Sequence, residues 1–448
     1  MASTKLTRTN GTSTNLKKWT WSAWIKRGLV GTQETFVVTR YDDNNYSRIR
    51  TDPDVLQFED RFSSNTVTDI RSTEVLRDPS AWYHVVVRID YTQSNAADRA
   101  RMYVNGTEVT YATTTRQSQN GNSYFNDSTN HALGHYNNNN YFNGCMSHVH
   151  FTDGYSYGPD TFGSTDATTG QWKINTSPSV TYGNNGYFVL KDANGVTDQS
   201  GNSNNFTVGG GTLTQTEDCP SNVFCTMNPL QSRVGSNGVA YPMSIFSNGN
   251  TKVESSNTSA YTPSVGTLGA SSGKYYFECK MGALGYSSFA DTPCIGIKSL
   301  DTGLYDTAYD DTIRAYSIAG NKNIDGTSSS FGNTFTTNDI IGVAMDLDNG
   351  AVYFSKNGTW ENSGDPTSGS SKTGALATDM ASYENWSPFA MGYKGSSGSN
   401  TTFEFNFGNG YFGTTAISSE GTNASNIGKF EYDVPTGYTA LSTKGLNE

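Results

Sequence analysis

Acidic pairs are the first candidates for chemistry in this sequence, because glycoside hydrolysis needs two carboxyl groups about 5–10 Å apart across a cleft. Glu59 and Asp60 are adjacent, so on a strand their side chains point to opposite faces of the sheet. Asp346 and Asp348 share a face, but Asp348 is predicted to serve the turn that follows it. The arrangement for general acid and base catalysis is therefore missing, and the sequence predicts a protein that is not an enzyme.

Histidines and cysteines are the candidates for metal binding. All five histidines lie in the first half of the chain, and His148 and His150 are spaced to share one strand face. Two ordinary strand histidines are the alternative interpretation, because no third ligand of suitable type lies nearby. The five cysteines are odd in number and form no disulfide framework, and the Cys219–Cys225 spacing matches no common zinc site. No cofactor is predicted from these residues.

Calcium is left open at one segment, RYDDNNY at 40–46, which supplies carboxylate and amide oxygens. A polar hairpin turn is the alternative interpretation of the same residues. Asp43 and Asn44 are the candidate ligand-binding residues of this segment.

A second polar segment, HYNNNNYFNG at 135–144, places Tyr136 beside consecutive asparagines. An aromatic ring stacks on a sugar and amides bond to its hydroxyl groups, so Tyr136 and Asn138 are predicted to contact a saccharide. A solvated hairpin tip is the alternative. In the second half, Tyr309 and Trp386 are candidates only because they are aromatic residues within or beside polar stretches.

Composition indicates which elements must position these residues. Of the 448 residues 16% are charged and 12% are aromatic, with 27 Tyr and 22 Phe, and aromatic residues favour strands. The 47 glycines favour turns. The net charge is −11, and in the second half only Arg233 and Arg314 are arginines. Such a chain is poorly suited to a phosphate backbone, so nucleic acid is not an expected partner.

The amino-terminal residues, MASTKLTRTNG, contain no apolar run, so no signal peptide is predicted. No segment approaches the ~20 apolar residues of a membrane span. The protein is therefore expected to be made in a cytoplasm and not to insert into a membrane.

Alternation of apolar and polar residues predicts antiparallel strands. Every second residue is apolar in YHVVVRID, 83–90, and in TFEFNF, 402–407. Asn105-Gly106 and Asn357-Gly358 each follow a strand and are predicted to form two-residue hairpin turns. No pattern of helical period runs for three turns. The predicted fold class is therefore all-β, with two antiparallel β-sandwiches in tandem.

A break in this rhythm marks the predicted domain boundary. The glycine run and Pro220 predict a linker at 207–223. The first domain is then expected at 1–206 and the second at 224–410. The remaining segment, 411–448, keeps enough aromatic residues to pack on the second domain as a C-terminal extension.

The first domain resembles laminin-G-like, concanavalin A-like sandwiches. The residues that carry the resemblance are WTWSAWIKRG (19–28), DPSAWYHVVVRID (78–90), RMYVNGTEV (101–109) and YFNGCMSHVHFTDG (141–154). The second domain resembles SPRY domains, through GKYYFECKM (273–281), IGVAMDLDNGAVYFSKNGTW (341–360), WSPFAMGY (386–393) and FEFNFG (403–408). Both resemblances imply concanavalin-like jelly-roll sandwiches.

The order of the two domains, and the segments TLTQTEDCPSNVFCTMNPL (212–230) and PTGYTALST (435–443), resemble virion proteins of tailed phages, especially marine ones. That resemblance implies a tail-fibre, spike or capsid-surface fibre subunit, located in the virion, that attaches to the host surface without catalysis. The implied partners are other virion proteins, further copies of this chain and a host-surface glycan. Two alternatives stay open: a connector or capsid decoration that binds only virion proteins, and a polysaccharide-degrading enzyme.

Overall fold

The computed structural model describes residues 3–191, 195–231, 233–234, 240–241, 244–256, 261–285, 292–301, 312–394 and 399–447. The chain forms two compact units, one of residues 1–215 with 219–221 and the other of residues 216–218 with 222–448. In the described residues both units consist of strands joined by turns and three-residue 3-10 segments. None of the described helical segments is long or apolar enough to cross a bilayer.

The first unit contains two large sheets and one separate hairpin. Its strands are β1 (Lys5–Thr9), β2 (Lys18–Arg27), β3 (Glu34–Arg40), β4 (Tyr46–Thr51), β5 (Val55–Phe62), β6 (Asn65–Val75), β7 (Trp82–Asp90), β8 (Ala100–Val104), β9 (Thr107–Glu108), β10 (Tyr111–Thr115), β11 (Asn130–Leu133), β12 (Gly144–Asp153), β13 (Gly163–Thr165), β14 (Trp172–Ile174), β15 (Tyr187–Val189) and β16 (Thr207–Gly210). The 3-10 segments are Ala96–Asp98 and Pro159–Thr161.

The two sheets of the first unit face each other across one core. The eight-stranded sheet has the order β10-β6-β5-β4-β3-β11-β1-β16, and the six-stranded sheet has the order β15-β12-β2-β7-β8-β9. Val85, Val87 and Ile89 point into this core, as the alternation of β7 predicts. The ring of Trp19 on β2 meets that of Phe58 on β5 edge-on at 5.2 Å, which joins the two sheets.

The β13–β14 segment covers the outer face of the six-stranded sheet. Trp172 donates from Nε1 to Nδ1 of His84 at 2.9 Å, and the two rings stack with centres 5.9 Å apart. His84 is fully buried, and burial lowers its pKa to about 3, so the ring is neutral and accepts this bond. A Cβ atom at Gly163 would lie 2.6 Å from the Trp172 ring, so only glycine at this position leaves room for the indole.

The second unit has the same two-sheet plan. Its strands are β17 (Arg233–Val234), β18 (Ala240–Tyr241), β19 (Ile245–Ser247), β20 (Lys252–Ser255), β21 (Thr262–Val265), β22 (Lys274–Met281), β23 (Cys294–Ser299), β24 (Ile313–Ser317), β25 (Asn321–Ile324), β26 (Thr327–Ser330), β27 (Ile340–Asp346), β28 (Ala351–Lys356), β29 (Thr359–Trp360), β30 (Trp386–Gly392), β31 (Thr401–Asn406), β32 (Tyr411–Phe412), β33 (Thr415–Ala416) and β34 (Thr439–Ala440). The 3-10 segments are Glu361–Ser363, Gly369–Ser371, Met380–Ser382 and Gly445–Asn447.

One sheet of the second unit has the order β19-β20-β31-β22-β27-β28-β29, and the other has the order β21-β30-β23-β24-β25-β26. Phe403, Phe405 and Phe407 all enter the core between them, as their alternation predicts. Asn105 and Asn357 have φ values of 48°, and the glycines after them have φ values of 81°, so both predicted hairpin turns are present. The all-β, two-sandwich fold class is confirmed.

The C-terminal segment lies on the outer face of the second unit's larger sheet. Strand β34 pairs in parallel with β22, and Phe430 and Tyr438 pack with Tyr276 in a buried cluster. Glu278, also on β22, accepts hydrogen bonds from the backbone N–H groups of Glu431 and Tyr432, each at 2.9 Å. These bonds fasten the segment to the sheet.

The predicted linker needs one correction. Within 207–223, residues 207–210 form β16, which pairs antiparallel with β1 at the edge of the eight-stranded sheet. Thr207 pairs with Thr7 and Val208 pairs with Leu6, so this stretch is part of the first unit. The glycines at 209 and 210 signalled a loop, but here they belong to an edge strand, beside the side chains of Thr7 and Lys5.

Among the buried carboxyl groups are Glu34, Asp60 and Glu278, and burial raises the pKa of each of these three to about 7. Asp60 accepts hydrogen bonds from Ser123 Oγ at 2.7 Å and from the Tyr124 N–H at 3.2 Å. It therefore ties the loop around Tyr124 to strand β5.

We expect Gly163→Ala to destabilise the first unit by about 1–3 kcal/mol, because the new methyl group overlaps the Trp172 ring. Gly158→Ala is the matched control, since nothing lies within 4 Å of a Cβ there. Urea unfolding measures both. In a Trp172→Ala background the Gly163→Ala cost should shrink, and an unchanged cost would contradict the steric explanation.

We expect Asp60→Asn to become more stable relative to the unsubstituted protein as the pH rises from 4 to 8. The folded pKa of Asp60, about 7, lies above its ordinary value of 3.8, so the folded state holds this proton more tightly than the unfolded state. The stabilisation that protonated Asp60 gives to the folded state is therefore present below pH 4 and is lost as the pH rises through 7. Urea unfolding of both proteins at a series of pH values tests this, and a constant difference would refute it.

Candidate functional site

Tyr136 lies against the outer face of the eight-stranded sheet, the face turned away from the core. The guanidinium carbon of Arg48 is 4.5 Å from the centre of the Tyr136 ring, and that of Arg40 is 5.8 Å away. The Tyr46 ring meets Tyr136 edge-on at 5.6 Å. Cation–π contacts of this kind hold a ring in place. Tyr136 is thus engaged by arginines and does not stand free at a solvated tip.

The structure brings two of the sequence candidates together through Arg40. Asp43 accepts a hydrogen bond from Arg40 at 2.7 Å, and the same guanidinium lies over Tyr136. Asn44 uses backbone groups: its N–H donates to Asp42 Oδ1 at 2.8 Å and its carbonyl accepts from Ser64 N–H at 3.1 Å. Asn44 therefore connects the β3–β4 hairpin to the β5–β6 turn.

Asn138 lies apart from the hairpin candidates. Its Oδ1 accepts a hydrogen bond from Lys5 Nζ at 2.7 Å, and its N–H donates to His135 Nδ1 at 3.4 Å. Asn138 has a φ of 56°, which asparagine tolerates better than most residues. The asparagine-rich segment thus serves turn geometry and places its amides beside a lysine.

Strand register explains why these side chains meet. On β3, β4 and β5, Arg40, Tyr46 and Arg61 are directly paired, and Arg48 pairs with Glu59. Val37, Ile49 and Phe58, one residue along, point into the core instead. Because successive side chains alternate between faces, Arg40, Arg48, Glu59 and Arg61 all lie on the outer face.

The sequence reasoning missed the two most exposed aromatic residues of the described part of the chain. Tyr41 is 74% exposed and Phe62 is 52% exposed, and both lie where strands end at hairpin turns. The Phe62 ring centre is 6.3 Å from that of the buried Tyr124. We call Tyr41, Phe62 and Tyr124 the aromatic end. A signal was present, since each exposed ring directly precedes turn residues, Asp42-Asp43-Asn44 or Ser63-Ser64.

The polar residues of the outer face are linked to one another by ion pairs and by hydrogen bonds. Glu59 accepts from Tyr46 Oη at 2.9 Å and from Arg48 Nη2 at 2.8 Å. Further along, Arg50 donates to Gln57 at 2.8 Å, and Gln57 donates to Asp69 at 2.7 Å. This network fixes long side chains in one geometry before any ligand arrives, which lowers the entropy cost of binding.

Local electrostatics agree with these contacts. The hydrogen bond from Arg40 to Asp43 raises the pKa of the guanidinium. The Asn44 N–H, aimed at Asp42, lowers the pKa of that carboxyl. Burial raises the pKa of the Tyr46 hydroxyl. Around neutral pH Arg40 and Asp42 are therefore charged, and Tyr46 is neutral.

The candidate calcium donors do not converge on one point. Asp42 accepts from Asn44 N–H and from Asn45 Nδ2 at 3.0 Å, whereas Asp43 pairs with Arg40. Across the described residues no group of three His, Cys, Asp or Glu side chains is arranged to hold a metal ion. The geometry favours the hairpin-turn interpretation of 40–46.

The carboxylates considered for catalysis also have separate structural partners. Glu59 lies on the outer face with Arg48, and Asp60 lies in the core with Ser123. Asp346 pairs with Lys274 at 3.0 Å, and Asp348 accepts from the Gly273 N–H at 2.7 Å.

The two strand histidines occupy a β-bulge. His148 has a φ of 49°, and the pairing of β12 with β2 shifts register between Ser147 and His150. His150 is buried, and its ring stacks on Phe188 with centres 3.9 Å apart. The ring's Nδ1 is 3.0 Å from the Tyr182 hydroxyl. These contacts give the pair a packing role.

The structure contradicts one of the two second-unit candidates. Trp386 is 1% exposed and lies in the core, where its Nε1 donates to the Met380 carbonyl at 3.0 Å, so the prediction that it contacts a ligand is wrong. The neighbouring polar residues misled the prediction, because the tryptophan begins a buried strand. Tyr309 lies outside the described residues.

Comparison with known proteins supports the fold of the first unit. Residues 2–155 match a family described as the concanavalin A-like lectin/glucanases superfamily, a description that covers both binding proteins and enzymes. No curated protein matches the sequence. The SPRY domain of human HERC1 is 15% identical, over 36% of this chain and 91% of that chain, with a TM-score of 0.28. A heptameric SAP-like pentraxin from Limulus polyphemus is 11% identical, over 41% of this chain and 97% of that chain, with a TM-score of 0.26. The first unit is thus similar to a superfamily of concanavalin A-like proteins.

Proposed function

We propose that this protein is a virion appendage subunit of a tailed phage that attaches to saccharides on the host surface and performs no catalysis. The observation that carries the proposal is the aromatic end, where Tyr41 and Phe62 expose most or half of their side chains. Exposed apolar side chains mark a contact site when they are grouped in one patch. Their flat apolar faces suit the C–H face of a sugar ring.

Polar groups beside the aromatic end suit the hydroxyl groups of the same ligand. The Asp43 carboxylate is 78% exposed although it pairs with Arg40, so it keeps room to accept further hydrogen bonds. The Asn44 side chain is exposed on the same hairpin. Rings for stacking and short polar side chains for orientation are the usual parts of a small saccharide site.

A rigid sandwich supports such a site without moving. The aromatic end is backed by the Trp19 and Phe125 rings, whose centres are 4.3 Å apart, and by the buried Asp60. A single shallow site of this kind binds weakly. Several copies on one particle raise the apparent affinity through effective concentration, so the proposal includes assembly with further copies of this chain and with other virion proteins.

The absence of catalysis is part of the proposal. In the described residues, the carboxyl pairs considered for hydrolysis are divided between faces or bound to turn and lysine partners. Sustained release of reducing sugar from host envelope by the purified protein would contradict this part.

We expect the double substitution Tyr41→Ala and Phe62→Ala to weaken the affinity for saccharide about tenfold or more. Each stacked ring contributes about 0.5–1.5 kcal/mol beyond the area that it buries. A glycan array probed with an oligomerised form of the protein measures this. Tyr155→Ala is the matched control, because Tyr155 is also an exposed tyrosine of the first unit, at 37%, outside the aromatic end.

Loss of binding in the double variant alone, with an unchanged melting temperature, supports the proposal. Equal binding by all three proteins would place the saccharide site elsewhere. Binding to other virion proteins in place of any glycan, lost in the same double variant, would support the connector alternative.

A further inference from the structure

The two exposed rings of the aromatic end, Tyr41 and Phe62, point to the same side of the eight-stranded sheet. Thr39, two residues before Tyr41, donates from Oγ1 to a backbone carbonyl of the 123–125 loop at 3.0 Å. Asp60, two residues before Phe62, accepts a hydrogen bond from the same loop at 2.7 Å. Side chains two residues apart on a strand point to the same face. Both rings therefore stand on the side of the sheet that holds this loop.

Strand register sets the separation of the two rings. Strands β3, β4 and β5 are neighbours, and Tyr46 on β4 pairs directly with Arg40 on β3 and with Arg61 on β5. Tyr41 and Phe62 each follow by one residue, so they lie at the same level along the strands. Because β4 runs between them, their Cα atoms are two strand spacings, about 10 Å, apart. A single sugar ring is too small to cover both side chains.

Tyr124 lies next to both exposed rings. Its ring centre is 6.3 Å from that of Phe62. Burial, together with the nearby Asp127, Asp42 and Tyr41, raises the pKa of the Tyr124 hydroxyl to about 12. Only 7% of Tyr124 is exposed, so it supports the two outer rings from below. The three rings thus form one aromatic row that is two strand spacings long.

Hydrogen bonds between the two turns fix the length of this row. Asn45 donates from Nδ2 to Asp42 at 3.0 Å, and its Oδ1 accepts from the Ser63 N–H at 2.9 Å. The Ser64 N–H donates to the Asn44 carbonyl at 3.1 Å. The turn after Tyr41 is thereby tied to the turn after Phe62. The spacing of the rings is set before a ligand arrives, which lowers the entropy cost of binding.

An extended glycan chain matches this spacing. In a β-1,4-linked chain successive sugars are turned over, so sugars two positions apart present the same ring face, and their separation is close to two strand spacings. The C–H face of a sugar ring is the face that stacks on an aromatic side chain. A single sugar, or the last sugar of a branch, reaches only one of the two exposed rings.

We propose that the aromatic end binds an internal segment of a linear, extended glycan, with one sugar on Tyr41 and the next sugar but one on Phe62. This inference rests on the proposed saccharide attachment and names its ligand class, chains of at least three linked sugars. Every internal sugar of such a polymer can begin a binding position. Several copies of the protein on one particle can therefore engage the same chain, which raises the apparent affinity.

A series of ligands of increasing length tests the proposal. Oligosaccharides of one to six β-1,4-linked sugars, made of glucose, mannose or N-acetylglucosamine, are titrated into the full chain by isothermal titration calorimetry. We expect the affinity in at least one series to rise about tenfold or more from two sugars to three, because the third sugar engages the second ring. The α-1,4-linked glucose trimer is the matched control ligand. It contains the same sugars in a curved chain and should not bind more tightly than its dimer.

Tyr41→Ala and Phe62→Ala, made singly, should each remove this rise, so that two-sugar and three-sugar ligands bind about equally. Tyr155→Ala is the matched control and should keep the rise, since Tyr155 lies outside the aromatic end. Melting temperatures show whether the variants fold. If Phe62→Ala does not fold, Tyr41→Ala decides, because Tyr41 is 74% exposed and its truncation removes little packing.

The outcomes distinguish this inference from the function on which it rests. Equal affinity for one, two and three sugars overturns the extended-chain inference, and so does a rise that persists in both single variants. Binding to a glycan of the array but to none of the β-1,4-linked series overturns it as well. In each of these cases saccharide attachment still stands if the Tyr41→Ala, Phe62→Ala variant fails to bind. If the unsubstituted protein binds no saccharide of the series or of the array, both proposals fail.

Discussion

The stacking of Trp19 on Phe125 is the contact on which the candidate surface depends. Their ring centres lie 4.3 Å apart with planes 18° from parallel, and Phe58 of the opposite sheet meets both rings edge-on. Trp19 belongs to β2, whereas Phe125 belongs to the loop that carries Tyr124. Burying Phe125 between the sheets therefore fixes Tyr124, and Tyr124 in turn supports Phe62. Hydrophobic burial in the core thus determines the shape of an exposed end.

The same sheet separates its two tasks by face. Its inner face contributes apolar residues such as Ile49 and Phe58 to the core, while the alternating residues Arg48 and Glu59 form an ion pair outside. A surface arginine without a partner would move among rotamers, and pairing restricts it. The outer face is therefore ordered by its own charges.

The second unit uses its outer face differently. Phe430 and Tyr438 cover Tyr276, and Glu278 binds the backbone of the covering segment. Apolar side chains on an outer sheet face require such a cover, because exposed apolar patches are costly in water. In the first unit, by contrast, the outer face of the eight-stranded sheet is polar and carries the Arg40–Asp43 and Arg48–Glu59 ion pairs.

By itself the sequence determined the all-β class, the inward strand residues such as Val85 and Phe405, and the hairpin turns at Asn105 and Asn357. Those features depend on neighbours within a few residues, through strand alternation and positive φ. Only the tertiary structure decided that Trp386 is buried, that Tyr136 lies on Arg48, and that Tyr41 and Phe62 share one end. Each of these depends on residues brought together from distant strands, because local pattern shows which face a side chain takes but not what covers that face.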